Sequence, residues 1–231
     1  KGHDVSLLLV LLLAGLATVL GWLIPQNLAA GRQRRAARAG YFAEVAGVLD
    51  GAFTRVEPTG FARLAGRRRG VSFDLQALPD TLTYRKLPAL WVLITLTEPV
   101  AVRTEIHIMA RPTQNEVFSH FALMSEAVAL PPGFPDDCAL RCDDAALLPP
   151  REVIAGLAAW FGDPKVKEVV LSPKGLRVVL LGEEADRGAY LLFRDAEMGK
   201  RPLPAARVLP YLDVMTAMRD ALAASEETMH G

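Results

Sequence analysis

The pattern of apolar and polar positions is most one-sided at the start of the chain. Val5 to Ile24, VSLLLVLLLAGLATVLGWLI, is twenty consecutive residues without a charge. At ~1.5 Å of rise per residue, a helix of this length spans roughly 30 Å, the hydrocarbon thickness of a bilayer. A helix on the surface of a soluble domain needs a polar face, and this run has none. It predicts one transmembrane helix over 5–24, after a short tail at 1–4. Trp22 falls where amphipathic rings collect at the interface, and Pro25 is expected to end the helix near the headgroups. The run exceeds the core of a secretory signal, and only Lys1 is basic before it, so an uncleaved anchor is expected.

The pattern then changes period. Residues 25–50 read as a basic juxtamembrane segment and helix, with Phe42, Val45, Leu49 and Phe53 at near-helical spacing. Residues 51–130 read as a β-rich lobe. Val71–Leu75, Thr81–Tyr84 and Val102–Met109 alternate, and Leu90–Leu96 is a nearly continuous apolar run expected at the sheet centre. Val117–Val128 suits a short helix or a strand. Residues 131–149 form a Pro-rich connection and a short strand, Cys138–Cys142. Residues 150–224 read as a helix–meander–helix lobe. Its first helix opens at Pro150 and buries Val153, Leu157 and Trp160. Strands Val166–Leu171 and Leu176–Leu181 are joined by a Ser172-Pro173-Lys174-Gly175 turn, and Ala189–Phe193 is the third strand. The closing helix, about Pro210 to Ala224, turns Tyr211, Met215, Met218 and Leu222 inward. Residues 225–231 are expected to fray as a tail. The fold class is α+β: an N-terminal transmembrane helix, then a mixed domain with antiparallel sheet and packing helices.

Charge changes the picture by its placement. The net charge is zero, but residues 1–40 hold five Lys/Arg and one acid, so +4, balanced by −4 in the remainder. Arg32, Arg34, Arg35 and Arg38 follow the anchor directly. Basic flanks stay on the cytoplasmic side, so the N-terminus is expected outside and the domain in the cytoplasm. With Trp22, these arginines form the predicted membrane interface. Basic charge gathered there argues for the lipid bilayer as partner and against nucleic acid. Arg outnumbers Lys 20 to 6, with abundant Ala and Leu, a bias common in GC-rich bacterial genomes, so the expected membrane is a bacterial inner membrane. Within the anchor, Ala14, Ala17, Thr18 and Gly21 form a small-residue face on which another helix can pack closely.

Candidate chemistry is sparse. Cys138 and Cys142 are four apart, too far along a strand for an unstrained disulfide, and read as free thiols. Asp136, Asp137, Asp143 and Asp144 lack the alternating pattern of a calcium loop. His107 reads as an exposed strand residue opposite Ile106 and Ile108. No phosphate loop, nucleophile elbow or zinc-helix motif is present. The sequence predicts no catalytic, cofactor-binding or metal-binding residue. It favours an accessory or assembly subunit that works by binding other membrane-protein subunits. The alternative is a membrane-anchored enzyme or ligand sensor with a site near 111–137, where Arg111, Gln114, Asn115, His120 and Asp136 would have to converge.

Overall fold

The apolar run folds as one helix, but that helix does not stop where the sequence suggests. The computed structural model describes residues 2–81, 87–113, 115–193 and 196–230. Helix α1 runs unbroken from Gly2 to Ala39 with Pro25 inside it. Pro25 removes the N–H that would bond the Gly21 carbonyl and crowds that carbonyl with its ring, but its fixed φ is helical and the helix continues past it. The Ala/Arg-rich stretch that follows has strong helix propensity and carries the helix on. α1 ends at Gly40, whose N–H bonds the carbonyls of Ala36 and Ala37. The helix expected to reach Asp50 is thus split. A single turn, α2 (Ala43–Ala46), follows, with Tyr41, Phe42, Val45 and Leu49 buried around it. Phe53 is not on that face: it lies in a strand and is 66% exposed.

Among the described residues, nine strands form one antiparallel sheet. They are β1 (Asp50–Val56), β2 (Ala62–Arg68), β3 (Val71–Asp80), β4 (Ala89–Leu96), β5 (Ile106–Ala110), β6 (Glu126–Val128), β7 (Cys138–Cys142), β8 (Val166–Ser172) and β9 (Gly175–Glu184). Their order is β1-β2-β3-β4-β9-β8-β5-β7-β6, so the β8–β9 hairpin inserts between β4 and β5. Segments 51–130 and 150–224 both contribute strands to it. The alternation of Val71–Leu75 continues to Asp80, with Val71, Phe73, Leu75 and Ala77 buried. The apolar run Leu90–Leu96 is internal, between β3 and β9. The predicted strand Thr81–Tyr84 lies mostly outside the described residues. The predicted strand Val102–Met109 is shorter and begins at Ile106.

Helix α3 (Arg151–Gly156) continues as a 3₁₀ turn, Leu157–Gly162, that buries Leu157, Trp160 and Phe161. Ser172 and Gly175 close the β8–β9 hairpin as expected. The third meander strand is absent: Ala189–Phe193 lies in helix α4 (Arg187–Phe193). A short apolar run carries no period that distinguishes the two. Here β4 and β8 occupy both edges of β9 and leave no ladder for a third strand. Helix α5 (Ala205–His230) starts earlier than predicted and runs through the expected frayed tail. It buries Val208, Leu212, Met215 and Leu222; Tyr211 and Met218 pack at its margin.

α2, α3 and α5 cover one face of the sheet and form the main core. The second face is covered over half its width. There the segment after β5, including the 3₁₀ turn Phe121–Leu123, lays Phe118 and Phe121 on Leu93, Met109 and Val179. Over β1–β3 the same face is more open, with Arg63 bonding both oxygens of Asp74 at 2.9 Å.

Candidate functional site

The joint between anchor and domain is built from three aromatic residues and two glycines. Tyr41 and Phe42 directly follow α1; their rings meet at 5.3 Å. Phe61, just before β2, stands perpendicular to Tyr41 at 5.7 Å. All three are buried. Gly182 in β9 makes room for Tyr41: a Cβ there would lie 2.9 Å from the Tyr41 hydroxyl and 3.0 Å from the Leu90 carbonyl. Gly199 has φ +75°, and a Cβ there would sit 2.4 Å from Phe61 Cε1. A side chain at either site would push the aromatic cluster apart. Burial, and then the charge of Glu183, raise the pKa of Tyr41. Its hydroxyl makes no hydrogen bond of ordinary geometry, although the Glu183 carboxylate is near enough to act on it. Such a group holds its place by shape and stays neutral.

Polar contacts tie the last turns of α1 to the same surface. Arg38 places its guanidinium 5.3 Å from the Phe61 ring centre and donates from Nε to the Met198 carbonyl at 3.5 Å. Arg34 pairs with Glu197 at 3.5 Å, and Lys200 also meets Glu197. The Leu203 N–H donates to the Tyr41 carbonyl at 2.7 Å.

The predicted interface residues therefore divide. Arg32 and Arg35 are exposed, as is Trp22 at 64%. Arg34 and Arg38 are half-buried and bind the domain, a role their sequence neighbourhood does not signal, because Glu197 and Met198 are about 160 residues away. Ala14, Ala17, Thr18 and Gly21 lie together in α1 with no covering protein, and nothing comes within 4 Å of a Cβ built on Gly21. Thr18 returns its hydroxyl to the Ala14 carbonyl at 2.8 Å, so its polar group is satisfied within the helix. α1 is long and apolar enough to cross a membrane, and every side chain from Leu9 to Ala30 is exposed.

Four of the five residues named for an alternative site lie among the described residues. Arg111, Asn115, His120 and Asp136 are all exposed, and Gln114 lies outside the described residues. Arg111 instead bonds the Pro164 carbonyl at 3.1 Å and faces Asp137 at 3.7 Å. Cys138 is half-buried, Cys142 is buried, and both are free thiols; burial raises both pKa values. Among the described residues, no three His, Cys, Asp or Glu side chains are arranged to hold a metal ion.

A polar cluster that the sequence concealed lies under the covered half of the second face. His107 is 3% exposed, not a surface residue. Alternation does place it opposite Ile106 and Ile108, but β5 is covered on both faces. Its Nδ1 meets Glu168 Oε1 at 2.8 Å, and its Nε2 meets Glu105 Oε1 at 2.8 Å. Glu168 is wholly buried; Oε1 also accepts from Ser119 Oγ, while Oε2 has no partner. Burial opposes charge on His107. The hydrogen bond and charge of Glu168, then those of Glu105, outweigh it and raise its pKa. Beside it, Lys167 Nζ donates to the carbonyls of Ala110 and Arg111 at 2.7 and 2.6 Å and pairs with Glu116 at 3.3 Å. These groups pin the covering segment to β5 and β8.

Fold and joint define a class: an antiparallel α+β sheet domain carrying one membrane-length helix docked at its base. No family model matches the chain, and no curated protein matches its sequence.

Proposed function

We propose that this protein is a single-pass accessory or assembly subunit of a larger bacterial membrane complex, working by binding rather than catalysis. The observation that carries the reading is the joint. α1 passes without a break from its apolar span into turns locked to the sheet by Arg34, Arg38, Tyr41 and Phe61. A rigid connection fixes the pose of the domain over the bilayer, which a presenting or scaffolding subunit needs and a freely tethered enzyme does not. The uncovered face of Ala14, Ala17, Thr18 and Gly21 suits a partner helix within the membrane. Arg32 and Arg35, exposed beyond the span, suit anionic headgroups on the cytoplasmic side of an inner membrane.

The test is to solubilise native membranes in mild detergent, isolate the protein, and read native mass and companions. A large particle of fixed stoichiometry is expected. A lone species near the chain mass of 25.0 kDa would overturn the subunit reading. Ala17→Leu with Gly21→Leu is expected to loosen co-purification; undiminished co-purification would remove that helix face from the contact.

A further inference from the structure

The second face of the sheet is hollowed where its cover ends. A cavity of about 240 Å³ lies there, across β2, β3, β4 and β9. Leu93 marks the boundary: it lines the cavity and also packs with Phe118 and Phe121 of the covering segment. Register places the other lining residues. Arg177 of β9 stands opposite Thr95 of β4, and Thr95 opposite Asp74 of β3. Two residues along β3, Gln76 stands between Leu93 and Arg63 of β2. Partners across strands and alternate residues along them share a face, so these side chains all rise on the cavity side.

The two arginines reach inward from opposite sides. Arg63 donates from Nε to both Asp74 oxygens at 2.9 Å, and Arg177 donates from Nε to Thr95 Oγ1 at 3.2 Å. Asp74 and Thr95 are direct cross-strand partners, so their Cβ atoms are ~4.5–5.5 Å apart. Two guanidinium groups are therefore pinned over one residue pair. Each is held by its Nε, and among the described residues nothing accepts from its terminal nitrogens. Arg177 is half-buried, and no described carboxylate pairs with it. The Gln76 side-chain amide makes no hydrogen bond within the described protein. The lining thus presents unused donors, and two arginines against Asp74 leave it with one net positive charge.

We propose that this cavity binds a small organic monocarboxylate. Its carboxylate is held by the terminal nitrogens of Arg177 and Arg63, whose planar forks match a carboxylate in shape and charge. Its carbon skeleton lies on Leu93, and Gln76 bonds a polar substituent. Asp74 selects against a dianion, because a second negative charge would face that carboxylate at close range. Size sets the other limit. At ~30 Å³ for each water-sized group, the cavity takes about eight non-hydrogen atoms. It is smaller than the roughly 300–1,000 Å³ of pockets for drug-sized ligands. The proposal goes beyond the subunit reading and does not depend on it.

The test uses the full chain in nonionic detergent. Phenylglyoxal modifies its arginines, and the modified peptides are read by mass spectrometry. Acetate, L-lactate and pyruvate are titrated in turn against sodium chloride at matched ionic strength. Arg32 and Arg55 are exposed and serve as internal references; Arg55 shares the face of Arg63 but lies outside the cavity. At least one acid is expected to slow modification of Arg177 and Arg63 saturably and leave Arg32 and Arg55 unchanged. The unfolding midpoint of the same samples is expected to rise over the same concentrations. Gln76→Glu is nearly isosteric, breaks no hydrogen bond and adds a negative charge to the lining. It is expected to weaken the protection about 10–100-fold. Failure of all three acids to protect the arginines or raise the midpoint would overturn the proposal. Equal slowing at Arg32 and Arg55 would show ionic screening alone and overturn it too. Protection by inorganic phosphate at a lower concentration than any of the acids would overturn the monocarboxylate class. A Gln76→Glu variant protected like the parent would remove this cavity from the binding.

Discussion

Two segments are fastened to the sheet by opposite means. The end of α1 is held by shape: aromatic rings fitted over Gly182 and Gly199, with Arg34 and Arg38 at the rim. The segment after β5 is held by buried charge, through Ser119 and Glu116 reaching Glu168, His107 and Lys167. A shape-based joint is sensitive to side-chain volume and, between the acid range where Glu197 is protonated and the alkaline range where tyrosine ionises, insensitive to proton concentration. A charge-based one is the reverse, because breaking a buried pair strands a charge in a medium that solvates it poorly. The joint at the end of α1 is the one that relies most on packing.

The strongest way to break the contrast is His107→Leu. It leaves Glu168, wholly buried, with only Ser119 beside it. A loss of about 3–5 kcal/mol is expected in urea unfolding of the detergent-solubilised chain. The double variant His107→Leu with Glu168→Leu is expected to recover most of it, since Glu105 is half-exposed and takes up water. A double variant as weak as the single one would show that the charge pair is not the fastening. Next in size is Gly199→Ala. Its methyl group meets Phe61 at 2.4 Å and its φ of +75° disfavours any side chain. About 1–3 kcal/mol of destabilisation is expected, with faster proteolysis at residues 40–42 as the joint loosens. Unchanged proteolysis there would deny Gly199 its part in the joint.

The sequence revealed these two fastenings unequally. The long apolar helix was legible because twenty uncharged residues carry their own argument, and the hairpin at Ser172–Gly175 because Pro and Gly mark the turn. The central strand was legible from its apolar run. The joint was not, because Arg34 and Arg38 look the same as Arg32 and Arg35 until Glu197 and Met198 fold back on them. His107 was misread because alternation reports which face a residue is on, not whether something covers that face. α4 was misread because four apolar residues in a row fit helix and strand equally, and only the occupied edges of β9 decide.

The third effect separates the fastenings by pH. The folded-state pKa of His107 is raised, so its contribution is fully present below its unfolded value of about 6.5 and is lost as pH rises through the higher folded value. Glu116 works the other way. Burial pushes its pKa up, but the Thr113 amide and hydroxyl and the Lys167 charge outweigh this and lower it. Its contribution is lost as pH falls through the carboxylate range. The segment after β5 is therefore expected to lose protection first at alkaline and at strongly acid pH, while amides of Tyr41 and Phe42 keep theirs. Hydrogen exchange across a pH series, corrected for intrinsic rates, reads both. His107→Gln should flatten the alkaline side alone, and equal loss at both fastenings would erase the distinction.

The smallest effect sharpens the comparison most finely. Arg34 and Glu197 are 42% and 35% exposed, so water and salt screen their pairing. Arg34→Ala is expected to change unfolding stability by about 0–1 kcal/mol, less than either core change. Its effect on pose should be larger than its effect on stability. The pair sits at the last contact before the span, where a small rotation is carried along the whole sheet. Distances from a spin label on α5 to the bilayer surface should broaden in Arg34→Ala and narrow again when Arg34→Lys restores the charge. A sharp, unshifted distribution in the alanine variant would mean that the aromatic cluster alone sets the pose, and that Arg34 only decorates its rim.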